Sequence, residues 1–369
     1  MISLVPTHHL TPPGPLDNDG GFLWWYLDLT DSFGNGMVLI WSFGLPFLPG
    51  LASAARHGQP ASPAAHPSLN VVLYRAGKPD FYLLQTIDPA QATWDGDRWQ
   101  MGGLSGQRMV HGERLILWME LDCAVPGTSE RLVGRVNLCG TRVQGVSDDA
   151  PGTAHVWSPL VVAAIGHADL QCGTSRWQLT GRAYHDRNFG DRPLHTLGID
   201  RWWWLHLALP DRELIGYHLL PDTPNAAPRS VCMAITHDGK AETIEPARFV
   251  MRGWRWSLLG LSSPRTITFT PPHSEPVTAH LVHRVDDGPF YQRFQIEAVV
   301  DEQRVRGFAE QVVPGRIDRA LYAPFVRMRV HRHDGRNSMW LPLFTGPRTG
   351  RLSRLLGIDR QTHQLPGVS

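Results

Sequence analysis

Residues Trp202–Leu220 read WWWLHLALPDRELIGYHLL, two short runs of aromatic and aliphatic residues separated by a polar turn that contains proline and aspartate. Runs of this length, closed by turn residues, are typical of β-strands. Similar runs recur from Met37–Phe43 to Arg304–Val313, whereas helical periodicity is confined to Ile317–Met328 and Arg351–Ile358. The sequence therefore predicts an all-β protein of barrel or sandwich type with few short helices.

The composition supports this prediction and excludes several classes of function. The chain has 369 residues, of which 42% are hydrophobic and 19% charged, so it can bury a core, and its length predicts two domains. Its 36 Gly, 30 Pro and 14 Trp indicate many turns and an aromatic interior. Because 35 basic residues balance 34 acidic ones, the net charge is only +1, and we expect no nucleic-acid partner.

Cysteine usage and hydropathy predict a cytoplasmic protein. The four cysteines form no C-x-x-C pair, and we interpret them as free thiols in a reducing compartment. Residues Met1–Asp17 lack the basic and apolar regions of a signal peptide. The stretch Gly36–Ala55 is uncharged, but internal prolines and glycines would break a membrane-spanning helix, so we interpret it as a buried strand that runs into a loop.

The usual cofactor motifs are missing from the sequence. It contains no glycine-rich dinucleotide or phosphate loop, no G-x-S-x-G and no H-E-x-x-H. His331 and His333 are spaced like two ligands on one strand face, but no third ligand is evident nearby. We therefore expect no metal site, and an enzyme with this sequence is expected to work without a bound cofactor.

The segment with the most side chains that could take part in catalysis is GRAYHDRNFGD, residues 181–191. In an extended strand, Tyr184, Asp186 and Asn188 point to the same face, which brings a phenol, a carboxyl group and an amide together. Such a set could handle a proton. Alternatively, Asp186 pairs with a neighbouring arginine or caps a turn, and the residues alone leave both interpretations open.

Aromatic residues could complete a site around these groups. His155 and Trp157 share a strand face by the same alternation, and tryptophans cluster in the runs 24–26 and 202–204. Aromatic rings can line an apolar pocket and stabilise a cation by ~0.5–2 kcal/mol each. A tryptophan in a β-barrel is more often a core residue, so this pattern does not by itself distinguish the two roles.

A set of motifs follows in order over roughly residues 20–333. They are Trp24–Asp28, Gly36–Ile40, Gly44–Pro49, Asn70–Tyr74, Tyr184-x-Asp186-x-Asn188-x-Gly190, Pro193-Leu194, Trp202–Trp204, Phe290-Tyr291 and Ala323–Phe325. Together they resemble the carotenoid 1,2-hydratase family, which belongs to a wider lipocalin-like set that also contains fungal cofactor-free Diels–Alderases. The sequence departs from the family at Ala183, where glycine is usual, and at Phe189.

The resemblance implies two lipocalin-like domains with a site near their junction. With a composition shift near residues 193–200, we place the N-terminal domain at 1–196, the C-terminal domain at 197–333 and an extension at 334–369. In the hydratases the acid is the aspartate of a Tyr-x-Asp pair, beside a His-x-Trp pair. The corresponding catalytic candidates are Asp186, Tyr184, His155 and Trp157. The substrate-binding candidates are Trp24, Trp25, Tyr26, Asn188 and Trp203.

The expected activity is the addition of water to a terminal isoprenoid double bond of an acyclic carotenoid or other polyene. A cofactor-free cyclase or Diels–Alderase of a natural-product pathway would use the same groups, and a non-catalytic carrier of an apolar ligand would use the same barrel. Arginines between residues 327 and 354 could contact anionic lipid headgroups, which predicts peripheral membrane contact, or they could form a solvated surface.

Overall fold

A computed structural model of the chain describes residues 2–4, 16, 18–44, 47–50, 53–54, 57–59, 62–95, 97–144 and 155–356. From β1 to β12 the strands are Ile2–Leu4, Phe22–Thr30, Gly36–Phe43, Ser68–Arg75, Lys78–Thr86, Ala92–Asp95, Arg98–Met101, Leu104–His111, Arg114–Ala124, Arg131–Arg142, His155–Cys172 and Ser175–Gly190. From β13 to β24 they are Ile199–Ala208, Arg212–Pro221, Arg229–Thr236, Ala241–Ile244, Phe249–Arg252, Arg255–Trp256, Ser262–Ser263, Thr266–Phe269, Val277–Asp287, Tyr291–Val300, Gln303–Val312 and Gly346–Pro347. The predicted all-β class is confirmed.

Two large sheets contain nearly all of these strands. The first runs in the order β24-β5-β4-β3-β2-β12-β11-β10-β9-β8-β7-β6, with β1 pairing in parallel with β11. The second runs β16-β15-β14-β13-β23-β22-β21-β20-β17, and β18 and β19 form a separate hairpin. Each large sheet curls into a half-barrel, as expected of a lipocalin-like fold. The first sheet's last long strand ends at Gly190 and the second sheet begins at Ile199.

The helices are shorter than the sequence predicts. Helix α1 covers Ala323–Arg327 and α2 covers Arg351–Leu355, while single 3-10 turns lie at 63–65, 89–91, 194–196, 314–316 and 341–343. The predicted helix Ile317–Met328 is wrong over its first half, because Pro324 lacks an amide hydrogen and fits only the first turn of a helix. No helix among the described residues is long and apolar enough to cross a membrane.

The interpretation of Gly36–Ala55 holds where the structure describes it. Gly36–Phe43 forms β3, a buried strand of the first sheet, and the backbone at Gly44 has a φ of +87°, which suits glycine. Residues 45–46, 51–52 and 55 of that stretch lie outside the described residues, as does most of the segment 1–17.

Strand alternation divides the interior into three apolar cores. One fills the first half-barrel and contains Trp25 and Trp41. Another fills the second half-barrel and contains Trp203 and Phe294. The third lies between the two sheets, where Trp24 and other side chains from the first sheet meet side chains from the second. The site described next opens within this third core.

Candidate active site

A cavity of about 1090 Å³, including its open mouth, lies between the two sheets. Aromatic side chains from both sheets form much of its wall. They include Trp24 and Tyr26 from β2, Trp202 and Trp204 from β13, Tyr217 from β14, and Phe290. Apolar pockets with a few polar groups are the usual form of a small-molecule site. The shape and composition of this cavity therefore fit an apolar ligand better than a charged one.

Asp186 lies in the wall of the cavity and is only 3% exposed. Its Oδ2 accepts hydrogen bonds from Trp157 Nε1 at 2.7 Å and from Tyr184 Oη at 2.9 Å. Its Oδ1 accepts one from Asn188 Nδ2 at 3.1 Å. Tyr184, Asp186 and Asn188 share one face of β12, as the alternation predicts. Asp186 is thus held in place by three neutral donors, and no arginine or lysine pairs with it in the described part of the chain.

Burial raises the pKa of Asp186 to about 8. Desolvation is the largest cause, because it disfavours the charged carboxylate, and the hydrogen bonds from Trp157 and Tyr184 oppose it only in part. A carboxyl group with this pKa is mostly protonated at neutral pH. Since Oδ2 already accepts two hydrogen bonds, we place the acidic proton on Oδ1.

His155 reaches the acid only through Asn188. Its Nε2 lies 3.1 Å from Asn188 Oδ1 and it is fully buried. Burial lowers the pKa of His155 to about 4, so the ring is neutral near pH 7. The amide nitrogen of Asn188 donates to Asp186, so the atom that faces His155 is the amide oxygen, which can only accept a hydrogen bond. The neutral His155 ring must therefore carry its proton on Nε2. This chain of contacts fixes the orientation of the Asn188 amide.

The structure brings seven of the nine predicted site residues together, in two layers. Those in the cavity wall are Trp24, Tyr26, Asp186 and Asn188. Those behind the wall are His155, Trp157 and Tyr184, which contact Asp186 or Asn188. The second group therefore positions the acid, and the first group faces the ligand space.

The structure places Trp25 and Trp203 away from the cavity, which corrects their prediction as substrate-binding residues. Trp25 stacks on Trp41 and Trp94 inside the first half-barrel, at ring distances of 5.8 and 4.7 Å. Trp203 packs against Phe294 in the second half-barrel. Successive residues of a strand point to opposite faces, so a run of three aromatic residues cannot line one pocket.

A second polar cluster in the cavity wall was not predicted from the sequence. Glu310 Oε1 accepts hydrogen bonds from Tyr291 Oη at 2.6 Å and from Arg293 Nε at 2.8 Å, while Arg293 Nη1 donates to Tyr74 Oη at 2.9 Å. Asp286 and Arg329 form a further ion pair in the same wall, at 3.2 Å. One sequence signal could have indicated this cluster. It is a charged residue within a strand-like run, such as Arg293 in YQRFQIEAVV.

Another buried network packs behind Tyr184. The His206 ring stacks on the Tyr184 ring at 4.3 Å, and His206 Nε2 lies 2.8 Å from Glu213 Oε2. Burial opposes the charge of His206, but the hydrogen bond and the attraction of Glu213 raise its pKa overall. Nearby Asp28 is buried, and desolvation raises its pKa to about 7. This network joins the two sheets behind the acid.

His331 and His333 are the two histidines that are spaced like metal ligands in the sequence, where no metal site was predicted. His333 Nδ1 lies 2.9 Å from Thr86 Oγ1, and His331 pairs through its backbone with β5. Among the residues that the structure describes, no three His, Cys, Asp or Glu side chains are grouped as metal ligands.

Comparisons with known proteins find a matching family model and similar relatives. The model of a protein family described as carotenoid hydratase CrtC matches residues 40–339. An acyclic carotenoid 1,2-hydratase of Thiocapsa roseopersicina is 27% identical over 75% of this chain and 65% of its own length. A protein named hydroxyneurosporene dehydrogenase, from Chlorobaculum tepidum, is 24% identical over 88% of this chain and 91% of its own. The match thus spans just under two thirds of the Thiocapsa hydratase.

Solved structures share the fold at low sequence identity. A Nitrosomonas europaea protein assigned as AttH has a TM-score of 0.58 and 14% identity, over 84% of this chain and 99% of its own. CghA, solved with Sch210972, has a TM-score of 0.52 and 12% identity, over 79% of this chain and 88% of its own. At such identities the likeness supports the architecture alone.

Proposed function

The chain belongs to the carotenoid hydratase family, and on that premise we propose that it is a hydro-lyase that adds water to a terminal isoprenoid double bond of an acyclic carotenoid or related polyene. The observation that carries the proposal is the buried, neutral Asp186 in the wall of an aromatic cavity. A carbon–carbon double bond of this kind is a weak base. Its hydration therefore needs a carboxylic acid that keeps its proton until the substrate arrives.

The first step is protonation of the alkene. Asp186 Oδ1 delivers its proton to the less substituted carbon, and the π electrons form the new C–H bond. A tertiary cation remains on the other carbon. The aspartate left behind is then negatively charged and next to the cation, which it stabilises within a water-poor pocket. Trp157 and Tyr184 donate hydrogen bonds that stabilise this carboxylate as it forms.

The aromatic wall stabilises the cation further. The rings of Trp24, Tyr26 and Trp204 lie in the cavity wall, and Tyr26 and Trp204 meet with ring centroids 5.4 Å apart. A cation over such faces gains about 0.5–2 kcal/mol from each ring. Water attacks the tertiary carbon and gives the alcohol. Nothing in this sequence of steps calls for a redox cofactor, and we propose that the enzyme uses none.

The same cavity could instead direct the cation to an internal double bond, which would make the enzyme a cyclase. A cyclase leaves the mass of the substrate unchanged, while hydration adds one water. A non-catalytic carrier would change neither the mass nor the bonding of its ligand. Product mass therefore separates the three hypotheses.

The test is incubation of the purified protein with neurosporene or lycopene in detergent, beside the variant Asp186→Asn, followed by mass spectrometry of the extracted polyenes. Asparagine keeps the shape of the side chain but cannot donate the acidic proton. We expect a product one water heavier from the wild type and a rate lower by about 10³-fold or more in the variant. Thermal unfolding of both proteins controls for misfolding.

Each other outcome removes part of the proposal. Hydration at the same rate in both proteins would keep the reaction and reject Asp186 as its acid. A folded wild type that converts these substrates to isomers of unchanged mass would replace the hydratase with a cyclase. A folded wild type that binds them without any conversion would indicate a carrier.

We also propose peripheral contact with anionic membranes, because acyclic carotenoids dissolve in lipid. Arg327, Arg336 and Arg348 are exposed near the C-terminal end of the described chain. Arg329 is paired with Asp286, and Arg332 and Arg336 are both paired with Asp334. Sedimentation with vesicles of anionic lipid tests the proposal. We expect binding that weakens with salt and is lost on removal of residues 334–369, and no binding at low salt would contradict it.

A further inference from the structure

We propose that Glu310 is a second catalytic residue, which binds the attacking water and takes up its proton while Asp186 protonates the alkene. The inference rests on the hydration reaction proposed above and adds the group that handles the nucleophile. It is carried by the position of Glu310 in the same cavity wall as Asp186, on the other sheet.

The two carboxyl groups are connected by a short path across the wall. Asp186 lies opposite Tyr26 in the pairing of β12 with β2. Tyr26 contacts Trp204 edge to face, with ring centroids 5.4 Å apart. Trp204 in turn lies opposite Glu310 in the pairing of β13 with β23. A substrate carbon that rests on the Tyr26 and Trp204 rings would therefore have the acid on one side and Glu310 on the other.

Glu310 is the partner of a buried cation. The Arg293 side chain is 1% exposed and donates from Nε to Glu310 Oε1, and its guanidinium carbon lies 5.7 and 5.3 Å from the ring centroids of Tyr26 and Tyr291. A buried guanidinium needs a negative partner, since an unpaired buried charge is costly. Asp186 has no such cation among the residues that the structure describes. The cavity thus contains one carboxyl group that contacts neutral donors and one that is paired with a guanidinium, an arrangement suited to an acid and a base.

One oxygen of Glu310 remains available to a ligand. Both of its hydrogen bonds end at Oε1, and Oε2 has no partner among the described residues. The Glu310 side chain is 14% exposed and lines the cavity, so Oε2 can accept a hydrogen bond from a water molecule there. A carboxylate oxygen that accepts the water's hydrogen orients a lone pair of the water toward the cation.

Asp286 is the rival base in the same wall, because it is also paired with an arginine. The electrostatic influence of the two residues differs. The charge of Glu310 raises the pKa of the acid Asp186 itself and of Tyr217 and Tyr26, which line the same cavity. The charge of Asp286 acts on Tyr82, and it acts together with that of Glu310 on Tyr74 and Tyr291, but it is not among the main influences on Asp186. Glu310 is therefore the carboxylate near the place where the cation forms.

The proposed step balances in atoms and charge. The proton of Asp186 forms the C–H bond, and the oxygen of water forms the C–O bond. One O–H bond of the water breaks, and its proton passes to Glu310 Oε2. That proton then returns through solvent to Asp186, which restores both groups. The net reaction is polyene plus water to tertiary alcohol.

The test measures two events separately in D₂O for the wild type, Asp186→Asn and Glu310→Gln. Hydration is measured as alcohol formed, and protonation of the alkene as deuterium in the recovered, unhydrated polyene. We expect Glu310→Gln to form alcohol about 10²-fold more slowly while deuterium still enters the recovered polyene, because the cation forms and then loses a proton. Asp186→Asn should show neither event.

Two further variants keep the test decisive. Glu297→Gln removes the partner of Arg306 on a neighbouring strand, outside this cavity, and should hydrate at the wild-type rate. Glu310→Asp keeps a negative charge beside Arg293 but withdraws it from the water. It should reproduce the behaviour of Glu310→Gln, and it replaces that variant if glutamine prevents folding.

Three results would overturn the inference. The first is a folded Glu310→Gln or Glu310→Asp protein that hydrates within twofold of the wild type. The second is loss of hydration and of deuterium exchange together, which would make Glu310 a support of the acid rather than the base. The third is a wild type with neither hydration nor exchange, in which case the proposed function fails first and the role of Glu310 fails with it.

Discussion

Asp186 and Glu310 are carboxyl groups in the wall of one cavity, and their surroundings differ in whether a cation is paired with the carboxyl group. Asp186 receives hydrogen bonds only from neutral donors, and burial raises its pKa to about 8. Glu310 is paired with the buried guanidinium of Arg293 at 2.8 Å. Burial alone does not decide the protonation state of a carboxyl group, because a cation at hydrogen-bond distance offsets the cost of desolvation. The cavity contains one carboxyl group with such a cation and one that contacts neutral donors.

A large effect on stability is expected from removing the cation that is paired with Glu310. In Arg293→Met, Glu310 loses its partner and Tyr74 loses a hydrogen bond. We expect a loss of about 3–5 kcal/mol in the free energy of unfolding, because a buried charge is left uncompensated. Denaturant unfolding near neutral pH measures it. The double variant Arg293→Met with Glu310→Leu should recover much of the loss, and two losses that simply add would contradict the pairing.

The next effect is a dependence of stability on pH. Asp186 makes the protein less stable as the pH rises, whereas a salt-bridged aspartate would make it more stable. The pKa of Asp186 rises from 3.8 to about 8 on folding, so between these values the folded protein holds a proton that the unfolded chain has released. The contribution of Asp186 to the free energy of unfolding is therefore complete below about pH 4. It decreases toward pH 8 by about 1.4 kcal/mol per pH unit. Asp28, with a pKa near 7, adds to the slope.

Unfolding of Asp186→Asn across this pH range isolates the contribution of Asp186. We expect a flatter curve than that of the wild type, and parallel curves would show that Asp186 is ionised in the folded protein. Hydration by the wild type should fall as pH rises through about 8, because the acid is lost in its ionised form.

A smaller effect is expected from the donors around the acid. Tyr184 donates to Asp186 Oδ2, which favours the carboxylate and lowers the pKa of Asp186. Removing the hydroxyl in Tyr184→Phe should raise that pKa by roughly half to one unit, the equivalent of one hydrogen bond of about 1 kcal/mol. The pH–rate profile would then extend to higher pH. A shift to lower pH would show that Tyr184 instead stabilises the neutral acid.

The smallest effect distinguishes the two faces of β2. Trp24 lies in the cavity wall and Trp25 in the core of the first half-barrel. Trp24→Leu should lower kcat/KM by about 2- to 30-fold through the loss of a cation-stabilising ring. Trp25→Phe should leave kcat/KM within about twofold while it lowers stability. Equal losses of kcat/KM in both variants would show that Trp25 also affects the ligand.

The fold class and the acid cluster could be predicted because both depend on local sequence. Short apolar runs with turn residues define strands, and alternation placed Tyr184, Asp186 and Asn188 on one face, as the structure has them. The same rule, applied to Trp24, Trp25 and Tyr26, separates the middle residue from its neighbours. Only the structure decides which face of such a run meets the cavity.

The Glu310 side of the cavity could not be predicted, because it depends on contacts between distant segments. Arg293 and Tyr74 are 219 residues apart in the chain and meet only when the two half-barrels pack together. A charged residue within an apolar strand signals a buried partner but does not identify it. The family motifs extend through residues 290–325, yet none of them marked Glu310.

The most direct test of the account is the protonation state of Asp186 itself. Infrared difference spectra between the wild type and Asp186→Asn, recorded across a pH titration, isolate the carbonyl stretch of this one carboxyl group. The account predicts a protonated carboxyl band at about pH 6 that disappears with a midpoint near pH 8. A carboxylate band already present at about pH 6 would contradict it, because the proposed acid would then have no proton to give.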